Sequence, residues 1–524
     1  MREPRAPMSP RPTAAHGLRE MLLRSVGLAV AVVALATGSI HLLADTRTGD
    51  AQSEPQSIQA RIDQAAPGDT IFVEAGVYNE RIVIDKAIKL KGMNDPVIDG
   101  GNEGDIVLIT ASGASISDFV LRNGGKSISQ EAAGVKVDGV DEVEVMGNRI
   151  EDTRFGIYVL ESVGSTIAYN TVDLEPDVDI GRRGYAIYLW AVEETGVFNN
   201  NLTNSSDGIH LEFSDHNTIG ENEVTNGRYG LHFMYSDSNK VIGNVFDSNL
   251  AGAVLMFSKD MLLKDNEFSS NRRGATGVGV LFKDCDDVFV EGNSFLRNKF
   301  GVTAEGTPQA VGSTAIFREN LFALNDTGIG LMSNAPITFV ENAMVENTVQ
   351  VKAMGGELAS GLLTSHDSGL AARDTSTSGA PQPPEGIAWT TNGRGNYWSD
   401  YHGYDRNGDG VGDIPYEPKP PFAGALADND ALRLFQFTLA QEAIDMAADM
   451  FPLYRYDAVM ADTSPLMSPP GPALSTESEL DRGLLAVSML LLVVSGLALV
   501  ALLDVDLARV TRRLGGRRAQ EGGA

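Results

Sequence analysis

The chain has 524 residues and a formal net charge of −29 at pH 7, which is enough for one elongated domain with additional segments. This acidity argues against a nucleic-acid-binding role, because binding to phosphates requires clustered Lys and Arg side chains. The only cysteine, Cys285, excludes an internal disulfide framework.

The N-terminus begins with a basic stretch, residues 1–24, followed by an uncharged apolar stretch, residues 25–44. This order is typical of a cytoplasmic n-region and the apolar core of a signal peptide. The apolar stretch is also just long enough to span a bilayer, so a cleaved leader and an uncleaved anchor both stay open.

Residues 57–66 have the pattern of a short amphipathic helix. Ile58 and Ile62 share one face, and Ser57 is placed to cap the N-terminus. Less regular strand patterns follow it as far as Gly125. The helix is therefore predicted to cover the open edge of the first coil of a β-structure and to prevent edge-to-edge aggregation.

A repeat of one glycine and one asparagine, with 13 residues between them, begins at Gly134. Apolar residues occupy the positions three before and two after every asparagine. Apolar and polar residues alternate after the glycine, which is typical of short strands with one buried face. The pairs are Gly134 with Asn148, Gly156 with Asn170, Ala186 with Asn200, Gly208 with Asn222, Gly230 with Asn244, Gly252 with Asn266, Gly279 with Asn293, Gly306 with Asn320, and Gly328 with Asn342.

A unit of this length cannot bury its own apolar face and must stack on its neighbours. Stacking in register places the asparagines in a ladder and the glycines at tight bends. We therefore predict an all-β fold, a right-handed parallel β-helix of about 9–12 coils over residues 57–354. A leucine-rich repeat is the rival solenoid, but its leucine consensus and helical return are missing.

Residues 355–390, rich in Ser, Thr, Gly and Pro, are predicted to form a linker. An aromatic, Asp- and Gly-rich loop follows at 391–420. Its residues Asp405, Asn407, Asp409 and Asp413 have the spacing of an EF-hand calcium loop, although Tyr416 stands where the bidentate glutamate is expected. The alternative is a cluster of hydrogen-bonded turns without calcium.

The C-terminal part of the chain predicts an amphipathic helix at 430–456 and a transmembrane helix at 483–503. The helix at 430–456 would cover the last coil or dock on a membrane partner. A basic tail, 504–524, follows the span. By the positive-inside rule this tail is cytoplasmic, and the β-helix lies outside the inner membrane and is anchored to it.

Two outward columns of the predicted stack carry metal-binding residue types. Two residues after the glycine stand His210 and His232, and four residues after it stand Glu212, Met234 and Met256. Imidazole and thioether ligands suit Cu(I), whereas zinc more often takes thiolates or a third histidine. The alternative is an exposed stripe that continues a Tyr and Trp stack and binds a protein partner without metal.

Two further functions stay open at this point. A polysaccharide-acting lyase, epimerase or hydrolase would need acidic residues gathered on one face. Asp215 and Asp237 stand at the same position of successive repeat units, but each lies in an S-D-x-N segment that is typical of a turn. The other function is a metal-free scaffold anchored in the membrane.

Four segments together resemble the NosD family, the parallel β-helical (CASH-type) maturation factors of nitrous-oxide reductase. The resemblance covers residues 55–470 and is carried by G-L-H-F-M-Y-S at 230–236, P-G-D-T-I-F-V-x-x-G-V-Y at 67–78, the run G-N-Y-W-S-D-Y-x-G-Y-D-x-x-G-D-G-x-G-D-x-P-Y at 395–416, and S-P-L-M at 464–467.

This resemblance implies a periplasmic, non-catalytic, copper-binding protein of denitrification. Its implied partners are an ABC-type permease and ATPase, a copper chaperone and the nitrous-oxide reductase, whose copper–sulfide centre it would help to assemble. His232 and Met234 lie inside the family-like segment. The C-terminal span departs from the family pattern and puts the mode of docking on the permease in doubt.

Overall fold

The computed structural model describes residues 57–127, 131–273, 277–332, 335–354, 386–418 and 460–470. The predicted segments at 1–24, 25–44, 430–456, 483–503 and 504–524, and most of 355–390, lie outside these residues. Within them, no helix has the length and apolar character needed to cross a membrane.

The described chain forms a parallel β-helix, which confirms the predicted fold class. Each coil contributes one short strand to each of three parallel sheets, which contain 12, 13 and 12 strands. All strand neighbours within a sheet come from successive coils. The coil count therefore reaches the upper end of the predicted range.

Sheet 1 contains the strands Thr70–Val73, Lys89–Gly92, Ser115–Ser117, Glu144–Met146, Thr166–Ala168, Gly196–Phe198, Thr218–Gly220, Lys240–Ile242, Lys259–Lys264, Asp286–Glu291, Ala315–Arg318 and Ile337–Val340. Sheet 2 contains Val77–Tyr78, Val97–Asp99, Val120–Arg122, Arg149–Glu151, Thr171–Asp173, Asn201–Thr203, Glu223–Thr225, Val245–Asp247, Glu267–Ser269, Ser294–Leu296, Leu321–Ala323, Ala343–Val345 and Tyr397–Trp398. Sheet 3 contains Ile82–Ile84, Val107–Ile109, Ala133–Asp138, Phe155–Leu160, Ile187–Trp190, Asp207–Glu212, Tyr229–Met234, Ala251–Met256, Val278–Lys283, Phe300–Glu305, Thr327–Leu331 and Val349–Ala353.

A helix at Ile58–Gln64 covers the first coil, as predicted, and a short 3-10 helix lies at Ile180–Arg182. The Ser57 hydroxyl caps the first helix by accepting a hydrogen bond from the Ala60 N–H. Gln59 pairs with the backbone of Val83 through both of its amide atoms. The helix therefore satisfies backbone groups at the edge where the described coils begin.

The repeat positions fill the core between the three sheets. The apolar residues three before and two after each asparagine are fully or almost fully buried, including a stacked run of Phe246, Phe268, Phe295 and Phe322. Glycine is required where successive coils approach most closely: a Cβ at Gly230 would lie 2.6 Å from the carbonyl oxygen of Gly252. The period-2 pattern thus reflects a real inward face.

The predicted asparagine ladder runs through the whole regular part of the solenoid. From Asn148 to Asn396, each side-chain amide donates to the side-chain oxygen of the asparagine in the next coil, over 2.9–3.2 Å. The ladder ends on a buried carboxylate, because Asp462 Oδ2 accepts from the Asn396 backbone N–H at 2.7 Å. These bonds satisfy polar groups that would otherwise be buried without partners.

A second asparagine ladder, which the sequence analysis did not identify, lies five residues after the first. It contains Asn249, Asn271, Asn298, Asn325 and Asn347, whose backbone N–H groups donate to the next side-chain oxygen over 2.8–3.0 Å. These asparagines recur only in the later coils, from Asn249 onward. The first asparagine position recurs in every unit and therefore dominates the sequence pattern.

The assignment of Gly306 to the repeat is wrong. Val280 pairs with Val302, and Val302 pairs with Ile329, so the repeat glycine of this coil is Gly301. The extra residues of the coil lie in the turn between Glu305 and Ala315, that is, after the strand of sheet 3. A fixed count backwards from Asn320 therefore reaches the wrong glycine.

The loop at 391–420 supplies the last strand of the solenoid among the described residues. Tyr397 and Trp398 pair with Ala343 and Met344. The segment at 460–470 then packs over this strand, where Asp462 accepts a hydrogen bond from the Trp398 indole at 3.0 Å. The aromatic run is thus a closing coil with a buried tryptophan.

Candidate metal centre

The predicted columns of metal-binding residues stack in register on sheet 3. His210 lies beside His232 in the next coil, and Val254 follows in the coil after it. Glu212, Met234 and Met256 form the neighbouring column, two residues further along the same strands. Three adjacent coils therefore bring all five predicted copper residues onto one face of the solenoid.

The predicted exposure of this face is wrong for three of the five residues. His210, His232 and Met256 retain only 4%, 6% and 6% of their surface, whereas Glu212 and Met234 are half-buried. Aromatic neighbours cover the imidazoles: the rings of Tyr185 and Tyr229 lie 4.9 and 5.2 Å from those of His210 and His232. The site is a largely dehydrated cluster.

Asp207 joins the two histidines and was missed in the sequence. Its Oδ2 atom lies 3.2 Å from Nδ1 of His210 and 2.8 Å from Nδ1 of His232. Arg228 donates to both of its oxygens, over 2.9 and 3.0 Å. The carboxylate is completely buried, and these four contacts fix its orientation.

The sequence contains a signal for Asp207 in the column directly before the repeat glycine. Apart from Thr327, the other residues of this column are apolar or aromatic: Ala133, Phe155, Tyr185, Tyr229, Ala251, Val278 and Phe300. A carboxylate in such a column is buried by register and needs a charged partner. Arg228 supplies that partner from the next coil.

The electrostatics of the cluster hold the aspartate charged and His232 neutral. Burial disfavours the charge of Asp207, yet the attraction of Arg228 and the hydrogen bonds of the two histidines keep its pKa well below the ordinary value. Burial, together with repulsion from His210, lowers the pKa of His232 to about 4. A neutral imidazole is the form that binds metal ions.

Both imidazoles direct their Nδ1 atom toward Asp207. In the neutral ring the Nδ1–H donates to the carboxylate, and Nε2 carries the free lone pair. His210 Nε2 is buried, and no described group lies within hydrogen-bond distance of it. The nearest carboxylate oxygen, Glu212 Oε2, is 4.0 Å away and is held by the Tyr188 hydroxyl at 2.7 Å.

A buried lone pair without a donor requires a partner, which an ordered water or a bound ion can supply. Asp207, His210 and His232 each offer an atom within 4.8 Å of the others, which fits a metal ion. The Asp207 oxygens are already engaged by Arg228 and both Nδ1 atoms. Asp207 thus contacts both histidines in the way that a carboxylate orients imidazoles in carboxylate–histidine–metal arrangements.

The calcium-like loop has its side chains turned toward its own backbone. The two Asp405 oxygens accept from the N–H groups of Gly408 and Gly410, at 2.6 and 2.8 Å. Asp413 accepts from the Arg406 N–H at 2.7 Å, and Asn407 and Asp409 bond to each other and to following N–H groups. This pattern is the one expected of hydrogen-bonded turns.

Other reactive residue types near the site serve the solenoid itself. Asp215 and Asp237 accept hydrogen bonds from backbone N–H groups of the next coil, those of Asp237 and Lys259. Cys285 is buried, and burial raises the pKa of its thiol to about 12. Neither set forms a pair of free carboxylates or a reactive thiolate.

A family model described as "Periplasmic copper-binding protein (NosD)" matches residues 175–403 of this chain. A Pseudomonas aeruginosa protein named "Probable ABC transporter binding protein NosD" is 32% identical over 407 residues, covering 76% of this chain and 87% of that protein. A Stutzerimonas stutzeri protein of the same name is 30% identical over 444 residues, covering 82% and 94%.

Among solved structures, a double mutant of the periplasmic alginate epimerase AlgG is 16% identical and superimposes with a TM-score of 0.38, covering 57% of this chain and 83% of that chain. The alginate lyase AlyF-OU02 in complex with G6 is 12% identical with a TM-score of 0.40, covering 57% and 85%.

Proposed function

Since this chain belongs to the NosD family, we propose that it is a periplasmic accessory factor that binds copper as cargo and helps to assemble the copper–sulfide centre of nitrous-oxide reductase. The description of the matched family supports copper binding and the periplasm. The names of the two relatives support association with an ABC transporter. The proposed role is non-catalytic.

The observation that carries the copper proposal is the shared orientation of His210 and His232. Both rings present Nδ1 to Asp207, so that Nε2 of each is left for a ligand. The buried and unpartnered His210 Nε2 is the atom that a bound ion would satisfy. Asp207 would hold the ring orientation and increase the basicity of the lone pairs.

The neighbouring column favours Cu(I) over harder ions. Soft thioether sulfur selects Cu(I), and imidazole accepts copper in either oxidation state. Met234 and Met256 are adjacent in this column, and Met256 is almost completely buried. We propose that Met234 and Met256 complete the site, with the Glu212 carboxylate at its half-buried edge.

The copper proposal is tested by removing Nε2 while keeping the bond to Asp207. In the variants His210→Asn and His232→Asn, the amide nitrogen stands at the same bond count from Cα as Nδ1 and can still donate to the carboxylate. The double variant should lose Cu(I) affinity by at least about 100-fold in competition with a chromophoric chelator, since two ligands disappear.

The matched control is His216→Asn, which removes an exposed imidazole from the same coil at a residue with φ of 58°, where asparagine is well tolerated. This control should bind Cu(I) as the parent does. If the double variant also retains the parental affinity, the ion binds elsewhere and the proposed centre is incorrect.

The partners are proposed as an ABC-type permease and its ATPase, a copper chaperone that delivers the ion, and the reductase that receives it. Co-purification of the tagged full-length chain with the permease, from membranes that contain both, tests the first of these. Recovery of the chain without any permease would remove the transporter from the proposal and leave the copper site unaffected.

A further inference from the structure

Tyr188 holds the acidic residue of the candidate metal centre. Its hydroxyl donates a hydrogen bond to Oε2 of Glu212 at 2.7 Å. The same carboxylate oxygen lies 4.0 Å from Nε2 of His210, the buried nitrogen without a described partner. The oxygen of Glu212 that is nearest to the free lone pair is therefore already engaged by a donor.

The hydrogen bond from Tyr188 is the principal restraint on the Glu212 carboxylate among the described residues. Within that part of the chain, no Lys or Arg nitrogen lies within 4.0 Å of the carboxylate. The side chain of Glu212 is 29% exposed. A partly exposed carboxylate on a flexible stem can turn toward a bound cation, so the bond from Tyr188 decides where it stays.

The phenol ring of Tyr188 is itself fixed by other aromatic rings. Tyr158 stacks on it, with centroids 4.7 Å apart and planes at 16°. The rings of Tyr185 and His210 meet it edge to face, at 5.3 and 5.0 Å. Burial, together with the hydrogen bond to Glu212, raises the pKa of Tyr188 above its ordinary value, so the phenol stays protonated. Tyr188 is therefore a donor with a fixed position.

The position of Tyr188 follows from the register of sheet 3. Tyr188 pairs with His210, and Trp190 pairs with Glu212. Tyr188 thus stands in the histidine column, one coil before the first imidazole, and its long side chain reaches diagonally to the carboxylate in the neighbouring column. A tyrosine at this position contributes a hydroxyl to the edge of the centre instead of a third imidazole.

The ligands available to an ion depend on whether this carboxylate is free. Two imidazoles and one carboxylate are a common ligand set for divalent ions such as Zn²⁺ and Fe²⁺. His210, His232 and Glu212 would supply that set if the carboxylate turned inward. Cu(I) instead takes imidazole and soft thioether sulfur and needs no carboxylate. The hydrogen bond at Glu212 therefore matters more for the binding of divalent ions than for the binding of Cu(I).

We propose that Tyr188 is a positioning residue that sets the metal preference of the centre, because its hydroxyl keeps the Glu212 carboxylate from contacting the ion. The inference rests on the proposed function, since it concerns the same copper centre. With the carboxylate held, a divalent ion meets two imidazoles without a free carboxylate, whereas Cu(I) finds the ligands that it prefers. Tyr188 thereby discriminates against Zn²⁺ without contacting the metal.

The inference is tested by Tyr188→Phe in the full-length chain, which removes the hydroxyl and keeps the stacked ring. Affinity for Zn²⁺ is measured against a fluorescent chelator, and affinity for Cu(I) is measured anaerobically against a chromophoric chelator. The variant should bind Zn²⁺ at least about tenfold more tightly than the parent, because the released carboxylate becomes a third ligand. Its Cu(I) affinity should stay at the parental value.

A second substitution, Glu212→Gln, tests the same step without altering the aromatic rings. Alone, it should leave both affinities unchanged, because the carboxylate does not contact the ion in the parent. Combined with Tyr188→Phe, it should return the Zn²⁺ affinity to the parental value, since the neutral amide does not replace the carboxylate as a zinc ligand. This rescue distinguishes a positioning role from a general effect of the phenol on packing.

The matched control is Tyr158→Phe. Tyr158 belongs to the same aromatic stack, but its hydroxyl bonds to Glu131 and not to Glu212. This control should leave both affinities at the parental values. The double variant H210N/H232N should lose Zn²⁺ and Cu(I) affinity together, with or without Tyr188→Phe. Retained Cu(I) affinity in H210N/H232N would mean that the copper centre itself fails, which is a different result from failure of the inference about Tyr188.

Unchanged Zn²⁺ affinity in Tyr188→Phe would overturn the inference and leave the copper centre intact. A similar gain in Tyr158→Phe would assign the effect to loosened packing and would also overturn it. Loss of Cu(I) affinity in Glu212→Gln alone would show that the carboxylate is already a ligand in the parent, which contradicts the proposed restraint.

Discussion

His210 and His232 share one hydrogen-bond acceptor, since the Nδ1 atoms of both rings lie within 3.2 Å of Oδ2 of the same buried aspartate. The ring centroids are 4.3 Å apart and the ring planes cross at 76°, so the two imidazoles direct the same nitrogen to Asp207 from nearly perpendicular planes. Their relative position is thus set by a residue outside both predicted columns. Asp207 becomes the first residue to examine by mutation.

We expect Asp207→Asn to lower Cu(I) affinity by about 10–100-fold, because the carboxylate that accepts from both Nδ1 atoms and orients the imidazoles is lost. Breaking the buried pair with Arg228 should also destabilise the fold by ~3–5 kcal/mol. Chelator competition and thermal melting measure these effects, and the ¹⁵N shifts of the imidazoles report the tautomer directly. Asp215→Asn, in the same coil, is the control; unchanged tautomers in Asp207→Asn would contradict a positioning role.

Folding stability should decrease as the pH is lowered from 6.5 toward about 4, because the pKa of His232 falls from 6.5 to about 4 on folding. Between these values the unfolded chain binds a proton that the folded chain does not, so acid favours unfolding by up to ~3 kcal/mol. Urea denaturation of parent and His232→Asn across this range measures the difference. A parent curve parallel to that of the variant would show that His232 titrates normally.

The asparagine ladder predicts a large difference between two adjacent residues. Asn200 exchanges side-chain hydrogen bonds with Asn170 and Asn222 and donates to the Ile167 carbonyl oxygen. Asn201 is exposed in the following strand. Asn200→Ala should cost ~3 kcal/mol or more, since several buried groups lose partners at once, whereas Asn201→Ala should stay within ~0.5 kcal/mol. Similar thermal midpoints for the two variants would show that the ladder contributes little.

Removal of calcium should leave the melting temperature unchanged. The Asp405 oxygens already accept two backbone N–H groups, and the hydrogen bond from Gly410 contributes most to lowering the pKa of Asp405. Calorimetry with EDTA, followed by added Ca²⁺, measures this directly. A lower midpoint in EDTA that is restored by calcium, but not by magnesium, would instead establish the EF-hand-like site.

The fold could be predicted because the repeat combines two independent signals. Buried positions recur at fixed distances from each asparagine, and only stacking in register satisfies both the apolar face and the amides. The error at Gly306 shows the limit of this reasoning. Inserted residues enter at one of several turns in a coil, and counting from the asparagine cannot tell which turn received them.

The repeat correctly predicts which residues of the candidate centre lie side by side, but it does not predict all of the residues that form the centre. His210 and His232 stand at the same position after the repeat glycine, which places them side by side. Their burial depends on neighbouring aromatic residues such as Tyr185 and Tyr229, whose side-chain directions a repeat does not specify. Asp207 lies in a different column from the outward positions that carry the histidines and methionines, and for that reason their pattern does not reveal it. Its column holds no other charged residue in the repeat, so a comparison of inward and outward columns alike identifies it.

The ladder that ends at Asp462 also has a direction of hydrogen bonding. Along it, each side-chain oxygen accepts from the coil before and each side-chain amide donates to the oxygen of the coil after, so the last asparagine is left with donor groups to satisfy. Asp462 Oδ2 accepts both from the Asn396 backbone N–H at 2.7 Å and from its side-chain amide at 3.4 Å. A charged carboxylate can only accept hydrogen bonds, so it suits the end of the ladder at which donors are left over.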